Sequence, residues 1–377
     1  MIRIGAVTTS RADYYLLEIL LNKIEADPAF DLSLFVCQGH TDKNRGNTIA
    51  DINPKFKIDM VPTTGYKNRK ANNKQIIKVI TDSLNDLNSV YAAKLKNIDG
   101  IILLGDRYEL LPFAIYCMIN CIPIIHLGGG EDTFNAYDNC IRNYITQVAS
   151  VHFTTNELYK SNVCRMLGSA KNVFNTGDMR ITKIFELQHI TKSQWLKTVG
   201  IQKSNKITLL TYHPVTLEES DPGFQMRTIL DVFMSMNITT IVTAPNLDTG
   251  GDSIIDVIQE YQAKYPKSIV FKENMGHELY LQSMNFVTFL SGNSSSGMIE
   301  PAYFCLPTLN IGNRQEGRYR TENITDVSNK PQDIGSATRK ILMDTEFKTR
   351  FKNPFFYGKN NPSDEIMVKI KEYFDAG

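Results

Sequence analysis

Three carboxylates, a histidine, a run of serines and several arginines are spaced so that they could transfer protons and bind an anion. Asp106 sits in Gly105-Asp106-Arg107, directly after an apolar run. Glu131 follows Gly128, Gly129 and Gly130, which allow backbone to come close to a ligand. Asp138 opens an amphipathic stretch, four residues before Arg142. Asp106, Glu131 and Asp138 can together supply the proton transfers of a sugar reaction. Asp138 also reads as an N-terminal helix acid paired with Arg142 on the same face. His213, just before Pro214, can bind phosphate or move a proton. The run Gly292-Asn293-Ser294-Ser295-Ser296-Gly297 is small enough to bring backbone N–H groups to an anion, with the positive end of a following helix behind it. Glu300, three residues on, can accept hydrogen bonds from ribose hydroxyls, as acids do in dinucleotide sites. The same run also reads as an Asn-Ser turn with a capping hydroxyl. Arg11, Arg314, Arg318 and Arg320 are potential bidentate partners for phosphate. Taken singly, each also reads as a solvated surface charge; position favours Arg11 and Arg314, and Arg320 less.

The elements that must hold these residues are short apolar runs alternating with amphipathic stretches, the mark of a parallel sheet with crossover helices. The first half has strand candidates at 2–7, 32–36, 100–104, 122–126, 151–155 and 173–175. Helical stretches include 15–24, 73–95, 108–119, 138–148 and 157–167. A second series has strands at 207–212, 239–244, 269–271, 286–290 and 308–311, with helices near 223–236, 253–264, 278–284 and 298–304. Nearly all the unusual polar residues, Asn246 after the run 241–244 among them, follow the carboxyl end of a strand, where open α/β sheets bind ligands. The expected architecture is α/β, with two Rossmann-like domains facing a cleft. Residues 1–185 form the first, 186–360 the second, and 361–377 a final helix. Segment 38–72 is polar, either partly helical or a long functional loop.

Composition narrows the function. The 377 residues are 42% apolar and 21% charged, with a net charge of +1. That balance is globular and argues against a nucleic-acid coat or a membrane-surface binder. No apolar run reaches the roughly 18–20 residues of a spanning helix. The start reads as a buried strand, not a secretory signal. Six cysteines, at 37, 117, 121, 140, 164 and 305, have no zinc-site spacing and suggest a reducing cytoplasm. Cys117 and Cys121 read as two core-facing thiols of one helix. No Gly-Lys-Ser/Thr follows the glycine-serine run, so it is not a P-loop, and no GxGxxG follows the first strand, which argues against NAD. His126 reads as a hydrogen-bonded strand-end histidine, and His40, His152, His189 and His277 as ordinary ones.

In combination, these residues resemble a family. Thr9–Tyr14, Leu104–Glu109, His126 with Gly129-Gly130-Glu131, Tyr137-Asp138 with Ile141-Arg142, His213-Pro214, Gly292–Gly297 with Glu300, and Ile311–Arg318 are similar to the hydrolysing UDP-N-acetylglucosamine 2-epimerases of sialic and legionaminic acid pathways. The resemblance is collinear from residue 3 to about 327. It implies a fold like the GT-B glycosyltransferases, with UDP held between the domains. It implies anti-elimination of UDP to a 2-acetamidoglucal, then addition of water to release a free manno-configured sugar. No cofactor or metal is implied. By position, Asp106, Glu131, Asp138 and His213 become catalytic candidates. Arg11, Asn246, Ser294, Ser295, Ser296, Gly297, Glu300, Arg314 and Arg318 become substrate-binding candidates. The implied partner is a UDP-sugar, with no nucleic acid or membrane, and the expected assembly is a homo-oligomer, a dimer or tetramer, in the cytoplasm.

The chain departs from the family pattern at Gly128, where relatives carry His or Glu, at Asn139 and Asn143, and at Tyr15. If chemistry needs a side chain at Gly128, the chain should be slow on every UDP-sugar; if the gap makes room, the reading favoured here, it should prefer a bulkier hexose such as UDP-2,4-diacetamido-2,4,6-trideoxyglucose over UDP-N-acetylglucosamine. The competing readings are a non-hydrolysing 2-epimerase, a GT-B glycosyltransferase and an inactive nucleotide-sugar-binding module.

Overall fold

Runs such as Gly100–Leu104 are apolar at successive positions, which suits strands covered on both faces. The computed structural model describes residues 1–41, 48–61, 73–131, 138–201, 204–215, 221–245, 250–351 and 355–375. The chain divides into two units, Met1–Thr182 with Tyr357–Gly377, and Lys183–Phe356.

The first unit has seven strands: β1 (Ile2–Thr8), β2 (Phe30–Cys37), β3 (Ile58–Val61), β4 (Gly100–Leu104), β5 (Ile124–Leu127), β6 (Val151–Thr154) and β7 (Val173–Asn175). They are ordered β3-β2-β1-β4-β5-β6-β7, every pair parallel. The second has β8 (Ile207–Thr211), β9 (Thr239–Thr243), β10 (Ile269–Lys272), β11 (Phe289–Gly292), β12 (Thr308–Ile311) and β13 (Ile324–Val327). Their order is β10-β9-β8-β11-β12-β13, again all parallel. Each is a Rossmann-like α/β layer. In each, strand order reverses beside the first strand, at β1/β4 and at β8/β11, and ligands bind at such switch points.

Helices cover both faces. In the first unit, Leu17, Leu20, Leu21 and Ile24 of the helix Arg11–Ala26 share one core with Ile366, Met367 and Ile370 of the terminal helix Pro362–Asp375. The other face packs Phe113, Cys117 and Ile145 against Val7, Ile101 and Leu103. In the second unit, Met226, Ile229, Leu230 and Phe233 pack on one face. Trp195 packs on the other, its indole N–H donating to Ser283 Oγ at 2.8 Å.

The structure departs from the sequence reading at identifiable places. The terminal segment is the expected helix, but it belongs to the first unit, whose core it completes. The first helix begins at Arg11, not at 15, because the Asp13 carboxylate accepts the N–H groups of Thr9 at 2.6 Å and Ser10 at 2.7 Å. Strand β3 lies within segment 38–72, where only four residues pair at the sheet edge. Strand β13 and the helices Lys192–Val199 and Pro331–Met343 were not expected. The stretch 73–95 is two helices, Asn73–Ser89 and Ala92–Leu95. Cys117 is buried, but Cys121 lies past the end of the helix Leu111–Ile119 and is exposed, so the two thiols do not share a core. Among the described residues, no helix is long and apolar enough to cross a membrane.

Ile370 has no exposure and sits in the core that closes the first unit. Ile370→Ala should cost roughly 2–5 kcal/mol, as large-to-small core changes do. Urea unfolding should show it; a loss below about 0.5 kcal/mol, the range of surface changes, would detach the terminal helix from the unit's stability.

Candidate active site

In the first unit the candidates follow β4 and β5. Asp106 forms an ion pair with Arg142 of the helix Asp138–Val148; the arginine side chain is 6% exposed and the aspartate 24%. Arg142 Nη1 also donates to the Glu131 carbonyl at 2.8 Å and approaches Asn139 Oδ1 at 3.4 Å. One guanidinium thus ties the β4 loop, the β5 loop and the helix together. Thr155 Oγ1, just past β6, donates to Glu131 Oε1 at 3.3 Å. Asp138 opens the same helix, and desolvation raises its carboxyl pKa against the attraction of Arg142 and Arg107. A raised carboxyl is suited to proton donation. Asp106, Glu131 and Arg142 are therefore gathered into one group, with Asp138 on the helix that carries the arginine.

Next to Asp106, Arg107 engages Glu109 through two bonds, of 2.6 and 3.2 Å, and Glu109 is buried. The sequence holds both residues in the Leu104–Glu109 motif but gives no sign that they pair with each other. His126 is a structural tie, as expected. Its Nε2 bonds the Gly105 carbonyl at 3.0 Å and its Nδ1 meets Thr146 Oγ1 at 3.1 Å. Because a carbonyl only accepts, the ring proton is assigned to Nε2. Burial pushes its pKa down to about 3. Among the described residues, Arg11 pairs not with these acids but with Asp51. It is exposed, and its Nε lies 3.5 Å from Asp51 Oδ2.

In the second unit the centre is Asn293, which is fully buried. His213 N–H donates to its Oδ1 at 2.7 Å, and its Nδ2 donates back to the His213 carbonyl at 2.8 Å. Its own N–H reaches the Thr211 carbonyl at 3.1 Å. Arg314 and Gln315 donate to its carbonyl at 3.2 and 2.8 Å. The loops leaving β8, β11 and β12 are thereby joined. Gly292 has φ +121°, and a Cβ there would stand 2.0 Å from the Thr211 carbonyl oxygen, so only glycine lets β11 turn so close to β8. Desolvation, and next the Arg314 charge, push His213 down to about 3.

The expected helix 298–304 is a 3₁₀ turn, Ser295–Met298, followed by a short helix, Glu300–Tyr303. Ser296 lies 2.7 Å from the Tyr280 hydroxyl and 3.2 Å from Ser294 Oγ. Glu300 is buried, and among the described residues its Oε2 has no hydrogen-bond partner. Gly297 is buried in the 3₁₀ turn. Arg318 lends its carbonyl to Arg320, whose guanidinium pairs with Asp326 at 2.8 Å, so Arg320 is structural. Asn246 and Tyr137 lie outside the described residues. Asn293 and Gln315 were missed as site residues because a buried amide leaves no periodic mark.

Two Rossmann-like units, one with clustered acids and the other with a small-residue turn and a buried acid, define a protein of the nucleotide-sugar class. The family profile for UDP-N-acetylglucosamine 2-epimerase matches residues 22–371, and the chain belongs to that family. It is 33% identical over 349 residues to the GDP/UDP-N,N'-diacetylbacillosamine 2-epimerase (hydrolyzing) of Campylobacter jejuni, covering 92% of this chain and 88% of that protein. It is 31% identical over 366 residues to the UDP-N,N'-diacetylbacillosamine 2-epimerase (hydrolyzing) of Legionella pneumophila, covering 97% and 94%. A crystal structure of the UDP-GlcNAc 2-epimerase of Neisseria meningitidis, bound to UDP-GlcNAc, matches the fold with a TM-score of 0.77 at 16% identity, covering 98% of this chain and all of that one.

His126 and His213 at about 3, and His152 at about 4, are all held below the ordinary 6.5 by burial. Unfolding lets each take up a proton below that ordinary value. Stability should therefore be full above about pH 6.5 and fall toward pH 4, by about 1.4 kcal/mol per pH unit for each histidine. Urea unfolding at pH 7 and pH 5 measures this. His126→Gln should make the slope shallower, and an unchanged slope would mean that His126 titrates normally.

Proposed function

We propose that this chain is a hydrolysing 2-epimerase that converts a UDP-2-acetamido sugar to UDP and the free manno-configured sugar. The observation that carries the reading is the different chemistry at the two switch points. The first unit gathers Asp106, Glu131 and Arg142, and the second offers a serine turn and the unanswered Oε2 of buried Glu300. The reading assigns the sugar to the first unit's loops and the nucleotide to the second's. Ser294, Ser295, Ser296, Gly297, Arg314 and Arg318 would take the diphosphate, with His213 beside them. A homo-oligomer in the cytoplasm is part of the same proposal.

The chemistry needs a base to take the C2 proton while the C1–O bond breaks and its electrons leave with UDP. Water then adds at C1, and an acid returns a proton to C2 from the opposite face. In this reading Asp106 and Glu131, held by Arg142 and Thr155, would remove protons, and Asp138, whose carboxyl pKa is raised, would give one. Both bacillosamine relatives are named for the 2,4-diacetamido-2,4,6-trideoxy sugar. Gly128 supports that substrate: among the described residues, a Cβ built there meets nothing within 4 Å. At φ +84° a side chain would be accommodated only with backbone strain.

Proton NMR of the full chain with either UDP-sugar should show free manno-configured sugar. A UDP-linked epimer, acceptor-dependent transfer or binding without turnover would each replace this reading. Asp106→Asn should lower turnover by roughly 10²–10⁴ and retain UDP binding; near-normal turnover removes Asp106 from the mechanism. Wild type should have the higher kcat/KM on the diacetamido sugar, and Gly128→His should shift the ratio toward UDP-N-acetylglucosamine. A ratio that favours UDP-N-acetylglucosamine and does not respond to Gly128→His would sink the specificity assignment.

A further inference from the structure

The helix His277–Met284 presents His277 and Tyr280 three residues apart, hence on one face. The two side chains reach opposite ends of the serine turn and its acid. The Tyr280 hydroxyl is 2.7 Å from Ser296 Oγ, and Ser296 passes the bond on to Ser294 Oγ at 3.2 Å. His277 Nε2 lies 3.8 Å from Glu300 Oε1. The Glu300 side chain is only 3% exposed, and burying a carboxylate is costly unless charge and hydrogen bonds answer it. His277 faces one oxygen and leaves Oε2 to a ligand hydroxyl. Desolvation, with Glu300 as the next cause, pushes the Tyr280 phenol up to about 12, so it remains a neutral hydroxyl that can both donate and accept.

We propose that this helix is the positioning element of the nucleotide site: Tyr280 orients Ser296 and Ser294 toward a diphosphate, and His277 orients Glu300 toward ribose hydroxyls. The proposal rests on the assignment of the serine turn and Glu300 to the nucleotide. Neither His277 nor Tyr280 touches the reacting sugar; both act through another side chain. The two arms are separable, because one serves the ribose and the other the phosphates. Loss of the ribose arm weakens only nucleotides that carry the hydroxyls Glu300 reads. Loss of the phosphate arm weakens every uridine diphosphate alike.

The test is calorimetric binding of UDP and 2′-deoxy-UDP to the full chain, for wild type, Glu300→Gln, His277→Ala, His277→Arg and Tyr280→Phe. Wild type should prefer UDP, and Glu300→Gln should bring the two affinities together. His277→Ala should do the same, losing roughly three- to tenfold in UDP affinity, the size expected for weakening one bond to a charged group. Its 2′-deoxy-UDP affinity should stay near wild type, and His277→Arg should restore the preference. Tyr280→Phe should lose a similar factor for both nucleotides and keep the wild-type ratio. In turnover, His277→Ala and Tyr280→Phe should raise KM and leave kcat close to wild type. If His277→Ala fails to fold, His277→Gln read against His277→Arg makes the same comparison. A wild-type ratio in His277→Ala, with the ratio lost in Glu300→Gln, overturns the His277 arm alone. Wild-type affinities in Tyr280→Phe overturn the Tyr280 arm. A wild-type ratio in Glu300→Gln overturns the ribose assignment itself, and with it the His277 arm.

Discussion

Where strand order reverses in a parallel sheet, the loops leaving the two neighbouring strands turn to opposite faces, and a crevice opens at their carboxyl ends. This constraint governs the molecule. Each unit has one such reversal, at β1/β4 and at β8/β11. A crevice of this kind must be held open by side chains, because the backbone has already left the sheet. It is also half-buried, so each polar group that holds it needs a partner. Asn293 meets that requirement in the second unit, where it joins the loops after β8 and β11 across the reversal, and the β12 loop beside them. In the first unit Arg142 ties the β4 and β5 loops, which lie on one side of the reversal.

The choice of arginine in one place and an amide in the other follows from what each crevice contains. In the first unit Asp106 pairs with Arg142 and Asp138 feels both that arginine and the like charge of Glu109, and like charges held near one another disfavour ionisation. A guanidinium offers a fixed fork of donors and a charge that no physiological pH removes. The second unit's loops present mainly backbone and hydroxyl groups. An amide both donates and accepts there, and Asn293 uses its side chain for one bond each way with His213. It adds no charge, so the arginine charge beside it, Arg314, is left undiluted.

Much of this was legible in the sequence and some was not, for physical reasons. Continuous apolar runs such as 100–104 and 207–211 marked the central strands, because strands covered on both faces have little choice of residue. Edge strands escaped: Ile58–Val61 pairs on one side only, and Ile324–Val327 holds two exposed residues, so neither needed an apolar run. The helix Pro331–Met343 buries a modest face of Ile334, Gly335, Ala337 and Thr338, too small and polar a set to stand out. Site residues were legible where chemistry demands a charged or glycine-rich pattern, as at Asp106, Glu131 and Gly292–Gly297. Their supports were not. The pairing of Asp106 with Arg142 joins residues 36 apart in sequence, and no local period reports it.

The buried histidines show how the same residue type is put to opposite uses. His126 and His213 are both held neutral, yet for different causes. Burial acts on both. For His126 the hydrogen bond to the Gly105 carbonyl works against the depression, with small repulsions from His152 and Arg142. For His213 the second cause is the positive charge of Arg314. An anion that offset Arg314 would ease only the lesser cause at His213, because burial is the larger. At His126 the charge of Arg142 ranks behind both burial and the carbonyl bond. The distinction lies in the neighbours and not in the imidazole: a carbonyl and a hydroxyl hold one ring, and an arginine stands beside the other.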